Sequence, residues 1–144
     1  MRVWTTERSG SSRAAGSAAA PTGLAFSADG RYAYATEFTV DNAGGQHLLK
    51  HDLQTFSTRA LQLGPDLKPG EFVFVPKQVP SGQGAQPMPE DAGWLIGYAF
   101  NVRTGLGEFH VVDAEHMQPQ AVVEVPAPIP MGFHGNWVPA ASLR

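Results

Sequence analysis

Leu24-Ala25-Phe26-Ser27-Ala28-Asp29-Gly30-Arg31-Tyr32-Ala33-Tyr34-Ala35-Thr36 is the stretch whose reading decides the fold. Two short apolar runs flank an Asp-Gly pair, and glycine tolerates the positive φ of a tight turn, so the stretch predicts a β-hairpin. The same punctuation continues outward. Asp41-Asn42-Ala43-Gly44-Gly45 predicts a looser turn, residues 47–53 the next strand and residues 58–63 its partner, broken by Gly64-Pro65. Residues 71–76 predict a strand that Pro76 closes. Residues 93–100, 108–113 and 121–125 predict three more, with one helical turn over 114–117. Residues 77–91 carry Gly82, Gly84, Pro87 and Pro89 and predict an exposed, mobile polar loop. About eight strands spaced roughly 8–12 residues apart make an all-β fold, with the rhythm of sandwiches, barrels and propeller blades.

Composition agrees. Sixteen glycines and twelve prolines are spread along 144 residues, leaving room only for short elements between turns. At 42% hydrophobic and 16% charged, the chain can build the core of one domain. A net charge of −3 argues against a nucleic-acid partner, whose phosphates need a basic stripe. No apolar run approaches the ~18 residues of a membrane helix, so no transmembrane segment is expected. The absence of cysteine excludes disulfides, zinc ribbons, thiolate nucleophiles and cysteine-held iron–sulfur clusters. From Ser9 to Ala20 every residue but Arg13 is Ser, Gly or Ala. Residues 1–20 therefore predict a flexible low-complexity leader, and 21–144 the folded part. Met1-Arg2-Val3-Trp4 does not open an apolar signal region, so a cytoplasmic location is expected.

Five histidines are present, and none has the close spacing of a local metal site. His47 and His51 share a strand face but lie too far apart for one ion without a sharp bend. His110 reads as a strand-face histidine and His116 as a solvated turn residue. His134 differs in context, within Ile129-Pro130-Met131-Gly132-Phe133-His134-Gly135-Asn136-Trp137. Its glycine neighbours permit close backbone approach, and its aromatic neighbours suggest a partly dry site; a histidine closing a turn is the alternative. Glu71 opens an apolar strand directly after Lys68-Pro69-Gly70. Buried there, its carboxylate would need an imidazole N–H or an arginine; otherwise it is a solvated strand end.

Four segments, in order, resemble the carboxy-terminal part of the carotenoid cleavage oxygenases, the family of lignostilbene dioxygenases and the retinal-pigment-epithelium isomerohydrolase. They are Leu49-Lys50-His51-Asp52-Leu53, Pro69-Gly70-Glu71-Phe72-Val73-Phe74-Val75-Pro76, Glu90-Asp91-Ala92-Gly93-Trp94-Leu95 and Pro130-Met131-Gly132-Phe133-His134-Gly135-Asn136-Trp137. Arg31-Tyr32-Ala33-Tyr34 matches the aromatic strand before them. The resemblance implies the terminal blades of a seven-bladed β-propeller that holds a non-haem Fe(II) on its axis through four histidines. On these motifs His134 corresponds to the last iron ligand. Glu71 corresponds to a glutamate that takes a ligand's other ring N–H, the ligand belonging to this chain or to another blade. The implied reaction adds O2 across an apolar conjugated alkene (carotenoid, apocarotenoid or stilbene) and gives two carbonyl products.

The other three ligands would come from upstream blades, since His47, His51, His110 and His116 match no ligand motif. Where the family usually has a further glutamate before Phe-Pro, Ala18-Ala19-Ala20-Pro21 stands here. The chain is therefore expected to be a piece of a longer enzyme, inactive alone and prone to associate through exposed strand edges. The alternative is a non-catalytic propeller fragment or interaction module, since residues 22–32 also resemble generic propeller repeats. A lactonase-type propeller would need a carboxylate-rich metal site, and the sequence shows none.

Overall fold

The computed structural model describes residues 20–38, 46–78, 87–130 and 134–140. Eight strands follow one another: β1 (Ala20–Phe26), β2 (Tyr32–Phe38), β3 (His47–Asp52), β4 (Ser57–Gln62), β5 (Leu67–Pro76), β6 (Gly93–Asn101), β7 (Leu106–Asp113) and β8 (Gln118–Val125). They form two four-stranded antiparallel meanders, ordered β1-β2-β3-β4 and β5-β6-β7-β8. The all-β reading holds, and every expected strand is present. Residues 1–19 of the expected leader lie outside the described residues, and Ala20 already belongs to β1.

Three strands run longer than the sequence suggests, through prolines; β1 begins at Ala20 and passes Pro21. β5 begins at Leu67 and passes Pro69, and β8 begins at Gln118 and passes Pro119. Both are edge strands, and both prolines sit beside register shifts, where a missing N–H breaks no regular ladder bond.

Three hairpin turns share one construction that the sequence reading left unrecognised. Asp52 Oδ1 accepts from the Gln54 and Thr55 amides at 2.9 and 3.1 Å. Asn101 Oδ1 accepts from Arg103 and Thr104 at 3.0 and 3.3 Å, and Asp113 Oδ1 from His116 at 2.8 Å. Four residues on, each turn reaches a left-handed residue: Phe56 (φ 57), Gly105 (φ 73) and Met117 (φ 55). Residues 114–117 thus make a single turn, closed by the Met117 amide on Asp113 O at 2.8 Å, and then return directly to strand.

The core lies between the sheets. Tyr34 and Leu48 from the first meet Phe72, Leu95, Val112, Ala114 and Met117 from the second. Tyr34 stacks on Phe74 with centroids 5.6 Å apart. Across β6, Gly93 and Gly97 admit the rings of Phe74 and Phe72, where a Cβ would lie 2.3 and 2.7 Å from ring carbons.

Polar clamps join the same two sheets. Lys50, 4% exposed, donates to Asp91 Oδ2 at 2.5 Å, Ala114 O at 2.8 Å and Glu115 O at 3.1 Å. Arg59 adds bonds to Glu115 O and His116 O, each at 3.2 Å. Glu90 accepts from the Ser27 hydroxyl and, at 2.8 Å, from the Arg31 amide, so it fastens the β1–β2 turn. The end of the expected 77–91 loop is therefore neither free nor exposed: Asp91 is 8% exposed because it neutralises a buried ammonium. Residues 79–86 of that loop lie outside the described residues.

Candidate functional site

Glu71 sits at a bulge within β5. Pro69 pairs with Ala99 and Phe72 with Gly97, so Gly70 and Glu71 together oppose one residue of β6. Strict alternation would give adjacent residues opposite faces; the bulge re-aims the carboxylate. Beyond β8 the chain turns back. Ala127 O accepts from the Gly107 amide at 2.8 Å, and Ile129 fills the space where a Gly107 side chain would stand. Five residues later His134 Nδ1 meets Glu71 Oε2 at 2.8 Å.

The structure thus brings together the two residues singled out in the sequence. The Glu71 carboxylate meets an imidazole of this chain, from the segment after β8. With Nδ1 facing the carboxylate, Nε2 is the ring nitrogen left for an electrophile or metal. Expected dryness is not found: the His134 side chain is 81% exposed, and Glu71 19%. Beside the pair lies a recess of about 230 Å³, with Val73, Ile96, Tyr98, Phe109, Ile129 and Pro130 in its wall. The first four come from the face of the second sheet turned away from the first, and Ile129 and Pro130 from the segment after β8. Their alternation was visible in β6, but nothing in the sequence marked which face would adjoin His134.

The other histidines are engaged elsewhere. His47 Nδ1 lies 3.0 Å from Glu37 Oε2. His51 Nδ1 is 2.8 Å from Thr58 Oγ1, and burial pushes its pKa down. His110 is buried, tilted on Phe72 and 2.9 Å from Glu108 Oε2, whose other oxygen accepts from Asn101 at 2.7 Å. His116 Nδ1 contacts Asp113 Oδ1 at 3.0 Å and is 61% exposed. Among the described residues no group of three or more His, Cys, Asp or Glu side chains can hold a metal ion.

Two stacked four-stranded meanders, joined in chain order, are blades of a β-propeller. Residues 26–139 match the family described as retinal pigment epithelial membrane protein. Over 92 residues, 64% of its length, the chain is 41% identical to a carotenoid cleavage oxygenase of Mycobacterium tuberculosis, of which it covers 17%. An apocarotenoid-15,15'-oxygenase of Synechocystis is 30% identical over 111 residues, which are 74% of this chain and 21% of that protein. The crystal structure of cobalt-substituted Synechocystis ACO superposes with a TM-score of 0.61 at 27% identity, covering 75% of this chain and 22% of its own. The chain belongs to this family and spans about a fifth of the length of these relatives.

Proposed function

We propose that the chain supplies one metal ligand, His134, and its supporting carboxylate, Glu71, to a non-haem Fe(II) dioxygenase that cleaves a conjugated alkene. The observation that carries this reading is the 2.8 Å contact between His134 Nδ1 and Glu71 Oε2, which leaves Nε2 as the metal-facing nitrogen. The donor set fits one position of an iron site, and the remaining ligands would come from outside the described residues. Bound Fe(II) would supply the O2 chemistry that converts one C=C bond into two carbonyls. Glu71 fixes the ring's tautomer and direction, and the neighbouring apolar wall suits a hydrocarbon substrate. The names of the relatives support a carotenoid or apocarotenoid substrate, and the cobalt-substituted relative supports a bound metal. No helix among the described residues is long and apolar enough to cross a membrane. The high exposure of His134 favours a second reading, a non-catalytic blade pair that associates through its strand edges.

Metal content decides between the two. The chain alone should retain little Fe(II); supplied with the upstream blades as a complementing fragment or longer chain, it should retain iron and cleave the alkene. There His134→Ala should abolish both, and Glu71→Gln should lower affinity or rate by ~10–100-fold. Equal iron with and without His134 would remove this residue from the site and leave the second reading.

A further inference from the structure

We infer that Gly23 and Thr36, on the first sheet, are positioning residues for Glu71 on the second; the inference rests on reading Glu71 and His134 as the metal-directed pair. β1 carries one residue more than β2 opposite it: Thr22 pairs with Thr36 and Leu24 with Ala35, leaving Gly23 as the extra residue, at φ +87. This bulge faces the β5 bulge. A Cβ on Gly23 would stand 2.7 Å from Glu71 Cγ, 2.9 Å from its Cβ and 3.2 Å from its Cα. Rotation of χ1 cannot relieve contacts with the Cα and Cβ, so any side chain at position 23 displaces the whole Glu71 stem. Thr36, 1% exposed, holds the other side: its hydroxyl donates to Gly70 O at 3.2 Å, fixing the peptide that leads into Glu71. One contact limits the stem and the other sets the backbone. A hydrogen bond of 2.8 Å does not survive displacement of the carboxylate by an ångström.

Glycine at a positive φ is also explained by backbone preference alone, and asparagine separates the two accounts. Asparagine tolerates left-handed φ but brings the offending Cβ. The readout is the tautomer of the His134 ring in this chain, followed by long-range proton–nitrogen correlation at about pH 9, well above the ordinary imidazole range. Free neutral imidazole favours Nε2–H, whereas donation to Glu71 requires Nδ1–H. The parent chain should show mainly Nδ1–H, and Glu71→Ala mainly Nε2–H. Gly23→Ala and Gly23→Asn should both lose the Nδ1–H majority. Thr36→Val should lose it in part, and Thr36→Ser, which keeps the hydroxyl, should restore it. If Glu71→Ala changes the tautomer but Gly23→Asn does not, the positioning role fails while the pair stands. If Glu71→Ala leaves the tautomer unchanged, the pair itself fails. Should Gly23→Asn not fold, a parent-like tautomer in Thr36→Val overturns the inference.

Discussion

At the scale of single residues, Lys50 and Tyr34 show opposite fates of a buried polar group. Lys50 has an acidic partner and two carbonyls, and its ammonium also lies 4.5 Å over the Tyr32 ring. Lys50→Met keeps the apolar stem but leaves Asp91 buried without its cation. Urea unfolding should show a loss of about 3–5 kcal/mol, the usual cost of breaking a buried pair from one side. Tyr34 stacks well, but its hydroxyl is buried without a hydrogen-bond partner among the described residues. Burial accordingly pushes its pKa up, with Asp91 adding to the effect. Tyr34→Phe should therefore leave stability unchanged or raise it by up to about 1 kcal/mol in the same assay. Both side chains stand in segments whose strand character was plain from sequence. That Lys50 meets Asp91, 41 residues away, was not, because alternation gives a residue's face and not its partner across a sheet interface.

At the scale of elements, the three Asx-type turns make a common unit with different solutions at its left-handed position. Gly105 takes that conformation without strain; Phe56 takes it with a ring 69% exposed. Phe56→Gly should raise the urea midpoint, by the equivalent of up to about 1 kcal/mol, as the left-handed penalty disappears. The same turns carry an acid sensitivity. Arg31 holds the Asp52 carboxyl well below its ordinary value, against burial. Burial alone would raise Asp113, but hydrogen bonds from Lys77 and His116 outweigh it and bring the value to about 2. A carboxyl depressed in the folded state stabilises above its unfolded value, near 4, and this stabilisation is lost as pH falls through the folded value. The urea midpoint should thus fall between about pH 4 and 2, and Asp113→Asn should shrink that fall. A fall of parent size in Asp113→Asn would exclude this carboxylate as its source. The turn unit escaped sequence reading because only one of its three left-handed positions is a glycine. The bulge that aims Glu71 was half visible, since Pro69-Gly70 interrupts the alternation without saying which way the next side chain turns.

At the scale of the whole molecule, the sheets differ in what they leave uncovered. β4 and β8 are outer edges, and β8 exposes Val122 and Val123 at 53% and 56%. Association through that edge should weaken when Val123 is replaced by Lys, seen as a shift toward monomer in sedimentation velocity. The return of the chain after β8 has a different consequence. Ile129, seated against Gly107, makes a tether of five residues to His134, at most about 18 Å of reach. Meeting Glu71 is then an intramolecular encounter, at an effective concentration of the millimolar order set by short tethers. The imidazole and its carboxylate therefore find each other once β5 has paired with β6 and the segment after β8 has seated on β7. If His134 is a metal ligand as proposed, the chain would offer the metal a partner already assembled, and the entropy of gathering that ligand would be met during folding and not on capture of the ion.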